Sequence, residues 1–305
     1  MTTNDNGRTR ERHGIAIGQG QIRRIFPVFV LAMWVVAGFW IANGVWSGLN
    51  WFLAAAAALC CAVVFVNFVH VFNYGYAASV FVLNLVILVA RGAPLGAVLV
   101  GGLLMLYGVR LWLFTFLRYR SPGFVGRKAG LKIAHQALPS PIKVLLFLQT
   151  TTLMTFHAMS TYNIAARAQQ QHNNNLSGWV VGGATIIALG LVIEATADLQ
   201  KQRGKAANPG RWIDTGLFKR TRHPNYLGEI VVQVGVIVAG LGGGAAWYGS
   251  SAAWYQYAAA ILAPLYIIIL MLSATTGGEL SKTSRHGDDP EYQAYVARSG
   301  ALLPF

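Results

Sequence analysis

Two carboxylates lie four residues apart, Glu194 and Asp198 in "LVIEATADLQK", at the end of an otherwise apolar stretch. That spacing puts both on one face of a helix. Lys201 and Lys205 continue the face. Ionisable groups at membrane depth are costly and mark candidate sites by default. Such a face can accept hydrogen bonds from hydroxyl or amide groups of a ligand, or form Glu–Lys pairs at a helix end. Downstream, "TRHPNYLGEI" brings Arg222, His223, Asn225, Tyr226 and Glu229 to the start of another apolar run. Pro224 suits the first turn of a helix. Asn225 and Glu229 then share a face, and Glu229 complements the helix dipole. Arg211, Lys219, Arg220 and Arg222 put four cations in twelve residues. They suit the phosphates of a cofactor or anionic lipid headgroups. A further guanidinium, Arg110, lies inside the apolar "LLMLYGVRLWLFTFLRYRSP". Buried there, it needs a carboxylate or a ligand as partner.

The elements that position these groups are membrane helices. The chain has 305 residues, 55% of them hydrophobic and 11% charged, with mean hydropathy +0.48. A soluble domain carries about 25% charged residues. Apolar runs fall at about 27–46, 51–72, 76–91, 94–117, 143–163, 178–197, 226–244 and 253–274. Several approach the ~20 residues that a bilayer requires. We expect an all-α polytopic bundle of six to eight spans, integral to a membrane. Residues 1–25 read as a flexible basic tail and 26–305 as a single membrane domain. The run at 76–91 is short for a span, and "RGAP" at 91–94 reads as a turn or a kink.

The net charge of +14 is no nucleic-acid signal, because the cations cluster between apolar runs. With eight spans and an inner N-terminus, most of the 24 Lys and Arg fall on one side. Arg91 and Arg167 fall on the other, and Arg110 within a span. The positive-inside rule then makes both termini and the 118–143 and 198–225 segments cytosolic. Cys60 and Cys61 are adjacent in an apolar run. They make neither a metal site nor a disulfide framework, and no metal is expected. "QQQHNNN" at 169–175 reads as a polar loop. "GLGGGAAW" at 240–247 lacks the Lys of a phosphate loop. The polar groups gather at the cytosolic mouth rather than along a path, which argues against a channel or transporter.

"DTGLFKRTRHPNYLGE", preceded by "IEATADLQK", is similar to the C-terminal half of the steroid 5-alpha-reductase family, in particular its bacterial-type branch. The resemblance covers roughly 100–305, is strongest over 190–230, and makes 190–305 the cofactor region. It implies a membrane reductase that uses NADPH to reduce an activated carbon–carbon double bond of a sterol, steroid or isoprenoid-like lipid entering from the bilayer. It further implies that Glu194, Asp198, Asn225 and cations of the inner loop, among them Arg211, Arg222 and His223, contact the cofactor. Tyr226, Glu229, Arg118 and Tyr295 join that pocket. Tyr107, three residues before Arg110, matches the family's catalytic tyrosine, with Arg110 tuning it.

The chain departs from the family at one point. The family's steroid reductases pair that tyrosine with a glutamate on an earlier helix, and the first three runs here contain no Asp or Glu. Asn67, His70, Asn73 and Asn84 are the polar groups there, and His70 is a candidate substitute. "RHPxYxG" also occurs in membrane methyltransferases that use S-adenosylmethionine. Those carry a paired "EE" where this chain has Glu279 alone. The alternatives are therefore such a methyltransferase or a non-catalytic lipid-binding membrane protein.

Overall fold

The computed structural model describes residues 19–120, 125–171, 176–245 and 254–304. Among these the chain is helical throughout, with no strand. The helices are α1 (Gln19–Ala42), α2 (Gly48–Cys61), α3 (Phe68–His70), α4 (Tyr76–Ala90), α5 (Leu95–Arg120) and α6 (Val125–Ala137). They continue with α7 (Ser140–His157), α8 (Met159–Gln171), α9 (Gly178–Ala207), α10 (Pro224–Ala245), α11 (Trp254–His286) and α12 (Pro290–Arg298). Eight segments are long and apolar enough to cross a membrane: 25–42, 48–65, 68–90, 95–120, 140–170, 178–207, 224–242 and 254–286. The chain is an integral, multi-pass membrane protein. Many of its large apolar side chains face outward, as contact with lipid requires, including Leu59 and Val89.

The boundaries differ from the apolar runs in instructive places. The run at 51–72 is not one helix. The second span ends near Phe65, and the third starts at Phe68, where the Asn67 side chain caps the Val69 amide at 3.1 Å. The third span is therefore a full 23 residues. It passes through a π-helical turn at Val71–Gly75 directly before Tyr76. Gly75 allows this turn to lie against α2, since a Cβ there would sit 3.2 Å from the Cys60 carbonyl. "RGAP" is a tight turn, with Gly92 at φ 72° and Ala93 at φ 49°. The fifth span is α7 and α8 joined at Ala158. The basic tail is shorter than its composition suggested, because α1 begins at Gln19; residues 1–18 lie outside the described set. The polar loop at 169–175 begins later than its composition suggested, since 169–171 close α8; 172–175 lie outside the described residues. Residues 240–245 of the glycine-rich segment continue α10, and the rest lies outside the described residues.

The tightest packing in the bundle joins α9 to α10, which run antiparallel. A Cβ on Gly183 would sit 2.5 Å from the Ala239 amide nitrogen, and one on Gly190 would sit 2.6 Å from that of Val232. In return, Gly235 packs on the Gly183 carbonyl and Ile187, and Gly228 on the backbone of Glu194. On each helix these glycines are seven residues apart, so they line one seam. Membrane helices gain little from the hydrophobic effect between them, and small residues let dispersion contacts take its place.

At the inner side, α12 folds back beneath the bundle. Asp289 caps it by accepting from the Glu291 amide at 2.8 Å. Its Tyr292 and Tyr295 make a small core with Trp212. Beyond it, residues 299–302 pair with the start of α10. The Arg222 amide donates to the Gly300 carbonyl at 2.8 Å, and the Gly300 amide to the Arg220 carbonyl at 3.0 Å.

The glycine seam gives a direct test. Gly190→Val and Gly235→Val each overpack a backbone contact and should cost at least about 1–3 kcal/mol. That appears as a lower melting temperature in detergent. Gly182→Ala, where a Cβ meets nothing within 4 Å, should leave the melting temperature unchanged or raise it, since a helical Gly→Ala change gains about 0.5–1 kcal/mol.

Candidate functional site

Two helices meet at a buried ionic cluster. Arg110 on α5 points at α9, where the i,i+4 pair waits. Its Nη1 donates to Glu194 Oε1 at 2.6 Å, and its Nη2 to Asp198 Oδ2. Both carboxylates are buried, at 5% and 6% exposure. A guanidinium fork suits two acceptors at this spacing. Glu194 Oε2 has no partner among the described residues. Two cations, Arg118 and Lys201, lie close enough to act on Asp198 electrostatically.

One turn deeper, Tyr107 donates its hydroxyl hydrogen to Glu229 Oε2. Glu229 Oε1 accepts from the Tyr76 hydroxyl at 2.9 Å and from Gln233 Nε2 at 2.8 Å. Gln233 Oε1 lies 3.1 Å from His157 Nε2. The Tyr76 ring meets those of Tyr107 and His157 edge-on, at 5.9 and 6.1 Å. Glu229 is thus held by two phenols and an amide. A buried carboxylate needs this many donors. Chemically, the pair of Tyr107 and Glu229 is an O–H donor with a base behind it.

The sequence expectation paired Asn225 and Glu229 on one helix face. The structure puts Glu229 into the bundle and leaves Asn225 half-buried at the mouth. Among the described residues, the Asn225 amide forms no hydrogen bond, so its donors and acceptor can meet a ligand. Tyr226 is half-buried beside it and stacks on His223 at 5.1 Å.

Arg222 and His223 are engaged with the protein itself. Arg222 Nε donates to Glu279 Oε2 at 2.5 Å, and its Nη1 to the Ser299 carbonyl and to the Val296 carbonyl at 3.2 Å. His223 Nε2 sits 2.8 Å from Glu279 Oε1 and 3.3 Å from Lys282 Nζ. Burial outweighs the carboxylate and pushes the imidazole down to about 4. Tyr295 donates to the Phe218 carbonyl at 2.8 Å, and burial raises its phenol. Arg211, on the surface, stacks on Trp212 at 4.9 Å and pairs with Glu291 at 3.0 Å. Arg222 and Tyr295 therefore fasten the tail to the start of α10, and Glu279 is their anchor.

Three members of the network went unread in the sequence: Tyr76, His157 and Gln233. Gln233 carried a signal, being four residues beyond Glu229 on the same helix. Tyr76 and His157 carried none, because their approach depends on how α4 and α7 pack. His70 does not join the site. It sits between Tyr74 and Tyr119 at 5.3 and 5.2 Å. Asn73 and Asn84 donate to carbonyls of their own helices. The acidic partner of Tyr107 comes instead from α10. Nor do the polar groups stop at the mouth where Asn225 stands. Asn84, Thr161 and Asn163 are fully buried in the half of the bundle away from that mouth.

The chain belongs to the DUF1295 family, a family of proteins of unknown function, whose model matches residues 67–299. The match takes in α3 to α12 and every candidate site residue. No curated protein and no solved structure matches the chain.

The His223 environment makes stability depend on pH. The folded value of about 4 lies below the ordinary 6.5, so folding binds fewer protons than the unfolded chain does. His223 therefore adds stability above pH 6.5 that is lost as pH falls from 6.5 towards 4. The melting temperature in detergent should fall across that window. His223→Gln should flatten that part of the curve. Glu279→Ala, which strands the buried Arg222 guanidinium, should cost on the order of 3 kcal/mol at neutral pH.

Proposed function

We propose that this chain is a membrane-embedded reductase that uses NADPH to reduce a carbon–carbon double bond in a lipid. The observation that carries the reading is the Tyr107–Glu229 pair, buried one turn beyond the ionic cluster of Arg110, Glu194 and Asp198. The resemblance to the steroid 5-alpha-reductase family supports it. The residues fit the cofactor. Asn225 presents an uncommitted amide, Glu194 Oε2 an uncommitted acceptor, and Arg118, Lys201 and Arg211 present cations at the inner mouth. Arg222 and Tyr295 act by holding that mouth in shape.

NADPH, when bound, supplies the hydride. The protein does the rest. Cations of the inner mouth hold phosphate groups. Glu194 and Asp198 keep Arg110 in place and accept hydroxyl or amide hydrogens. Tyr107 donates its proton to the substrate or polarises its oxygen. Glu229 orients that phenol until its hydrogen turns to the substrate, and Tyr76 and Gln233 keep the carboxylate supplied with donors meanwhile. The lipid enters from the bilayer between the helices.

The test is thermal stability in detergent with NADPH, NADH and S-adenosylmethionine offered separately. A ligand at 100 times its Kd stabilises by about 2.7 kcal/mol, so NADPH alone should raise the melting temperature. Asn225→Ala and Asp198→Ala should abolish that rise. Tyr107→Phe should keep it, and should lower lipid reduction by roughly 10²–10⁴-fold. Stabilisation by S-adenosylmethionine alone would assign the site to methyl transfer. No response to any of the three would leave a lipid-binding protein without this chemistry.

A further inference from the structure

Four side-chain atoms in the outer half of the bundle are buried without a hydrogen-bond partner among the described residues. They are Asn84 Oδ1, Thr161 Oγ1, and both Oδ1 and Nδ2 of Asn163. All three residues are 0% exposed. Leaving such an atom unpaired is destabilising, so buried atoms of this kind are expected to meet a small polar ligand.

The positions are related. Asn84 and Thr161 both flank Gly101 of α5. A Cβ there would lie 3.3 Å from Asn84 Oδ1 and 3.1 Å from Thr161 Cγ2. Thr161 follows His157 by four residues across the α7–α8 junction and continues its face, whereas Asn163, two residues further on, turns to the opposite face of α8. Outward along α4, seven residues past Asn84, comes Arg91. Its Nη2 donates to Tyr162 at 2.7 Å and its Nη1 to the exposed Gln169 at 2.8 Å. Its Nε is another buried atom without a partner. Inward come His157, Gln233, Tyr76 and the Tyr107–Glu229 pair. Polar side chains therefore line one file through the bundle. Gly101 and Tyr107 are six residues apart on α5, so the orphaned atoms lie about 9 Å outward of Tyr107.

We propose that Asn84 and Thr161 bind a file of water molecules that opens to the outer face at Arg91 and Gln169 and ends at His157. Water is the ligand class the site selects. It donates and accepts, as an orphaned carbonyl, a hydroxyl and the Arg91 Nε–H together require, and it makes two to four bonds in a small space. Charge at the outer end is a guanidinium already committed to Tyr162 and Gln169, so it does not call for an anion. The purpose of the file rests on the reductase reading. Saturating a double bond consumes one hydride and one proton. The Tyr107 O–H bond breaks as the substrate accepts the proton, and a proton taken from the outer bulk solvent and passed along the file re-forms it. Hydride and proton would then reach the site from opposite sides of the membrane.

The test needs no turnover. In a Cys60→Ala, Cys61→Ala background, single cysteines are placed by Thr161→Cys, Asn84→Cys, Gln169→Cys and Leu53→Cys. Silver ion is added as the nitrate to the outside of sealed, right-side-out vesicles. Unreacted thiols are then tagged with maleimide-polyethylene glycol after denaturation. Silver ion enters spaces that admit water and binds thiolate. Thr161→Cys and Asn84→Cys should lose the later tag, as exposed Gln169→Cys does, while buried Leu53→Cys keeps it. Retention of the tag at both inner positions, with loss at Gln169→Cys, overturns the file. Thr161→Val is the second measurement and holds even if a cysteine variant folds poorly. In a hydrated site it removes a bonded hydroxyl and lowers the melting temperature; in a dry one it relieves an unpaired hydroxyl and raises it. A silver-accessible file in a protein that reduces nothing would sink the reductase reading and leave the water route standing. A dry file in an active reductase would do the reverse.

Discussion

The arrangement depends on the contact of two backbones. Where α9 meets α10, glycines at 183, 190, 228 and 235 remove the side chains that would hold the helices apart. That closeness has an electrostatic consequence. Glu194 lies against Gly228, one residue before Glu229, so two carboxylates from neighbouring helices are drawn into one dry region. Each must be supplied with donors, and the supply dictates the surrounding residues. Arg110 answers Glu194 and Asp198; Tyr107, Tyr76 and Gln233 answer Glu229. Wider helix spacing would put lipid or bulky apolar side chains between the acids, and neither donor set would have a purpose.

A second constraint closes the inner end. The segment before α10 is short and polar, and by itself it would be loose. It is held by Arg222, whose guanidinium reaches Glu279 on α11 and the carbonyls at 296 and 299. Tyr295 and Thr221 add bonds from opposite directions. Groups that look on paper like cofactor ligands thus build the collar in which Asn225 stands.

Much of this was legible in the sequence, for physical reasons. Span number followed from apolar length. The pairing of Glu194 with Asp198 followed from helical period, and the need of Arg110 for a carboxylate from the cost of burying charge. What stayed hidden depends on distance between elements. Tyr76 looks like one of the two tyrosines in "FNYGY", and His157 like a helix-end histidine. The family pattern puts the partner of Tyr107 on the first three spans, whereas packing supplies it from α10. Composition cannot distinguish a cation facing solvent from one, like Arg222, clasped by a tail. Asn84 is one of several polar groups in the first three runs, and no local pattern reveals that Thr161 lies at its depth.

The π-helical turn at Val71–Gly75 acts as a phase-setter. One residue more or less in a helix rotates everything beyond it by about 100° relative to everything before. Because the turn sits directly ahead of Tyr76, it fixes the azimuth of that phenol independently of the helix that precedes it. The span is therefore built from two segments out of phase, one keyed to α2 through Gly75 and one keyed to Glu229. Length in this stretch is consequently more constrained than composition. A hydrophobic replacement preserves the angular offset, whereas the loss of a single residue swings Tyr76 out of the bundle's interior and turns an apolar neighbour towards the acid.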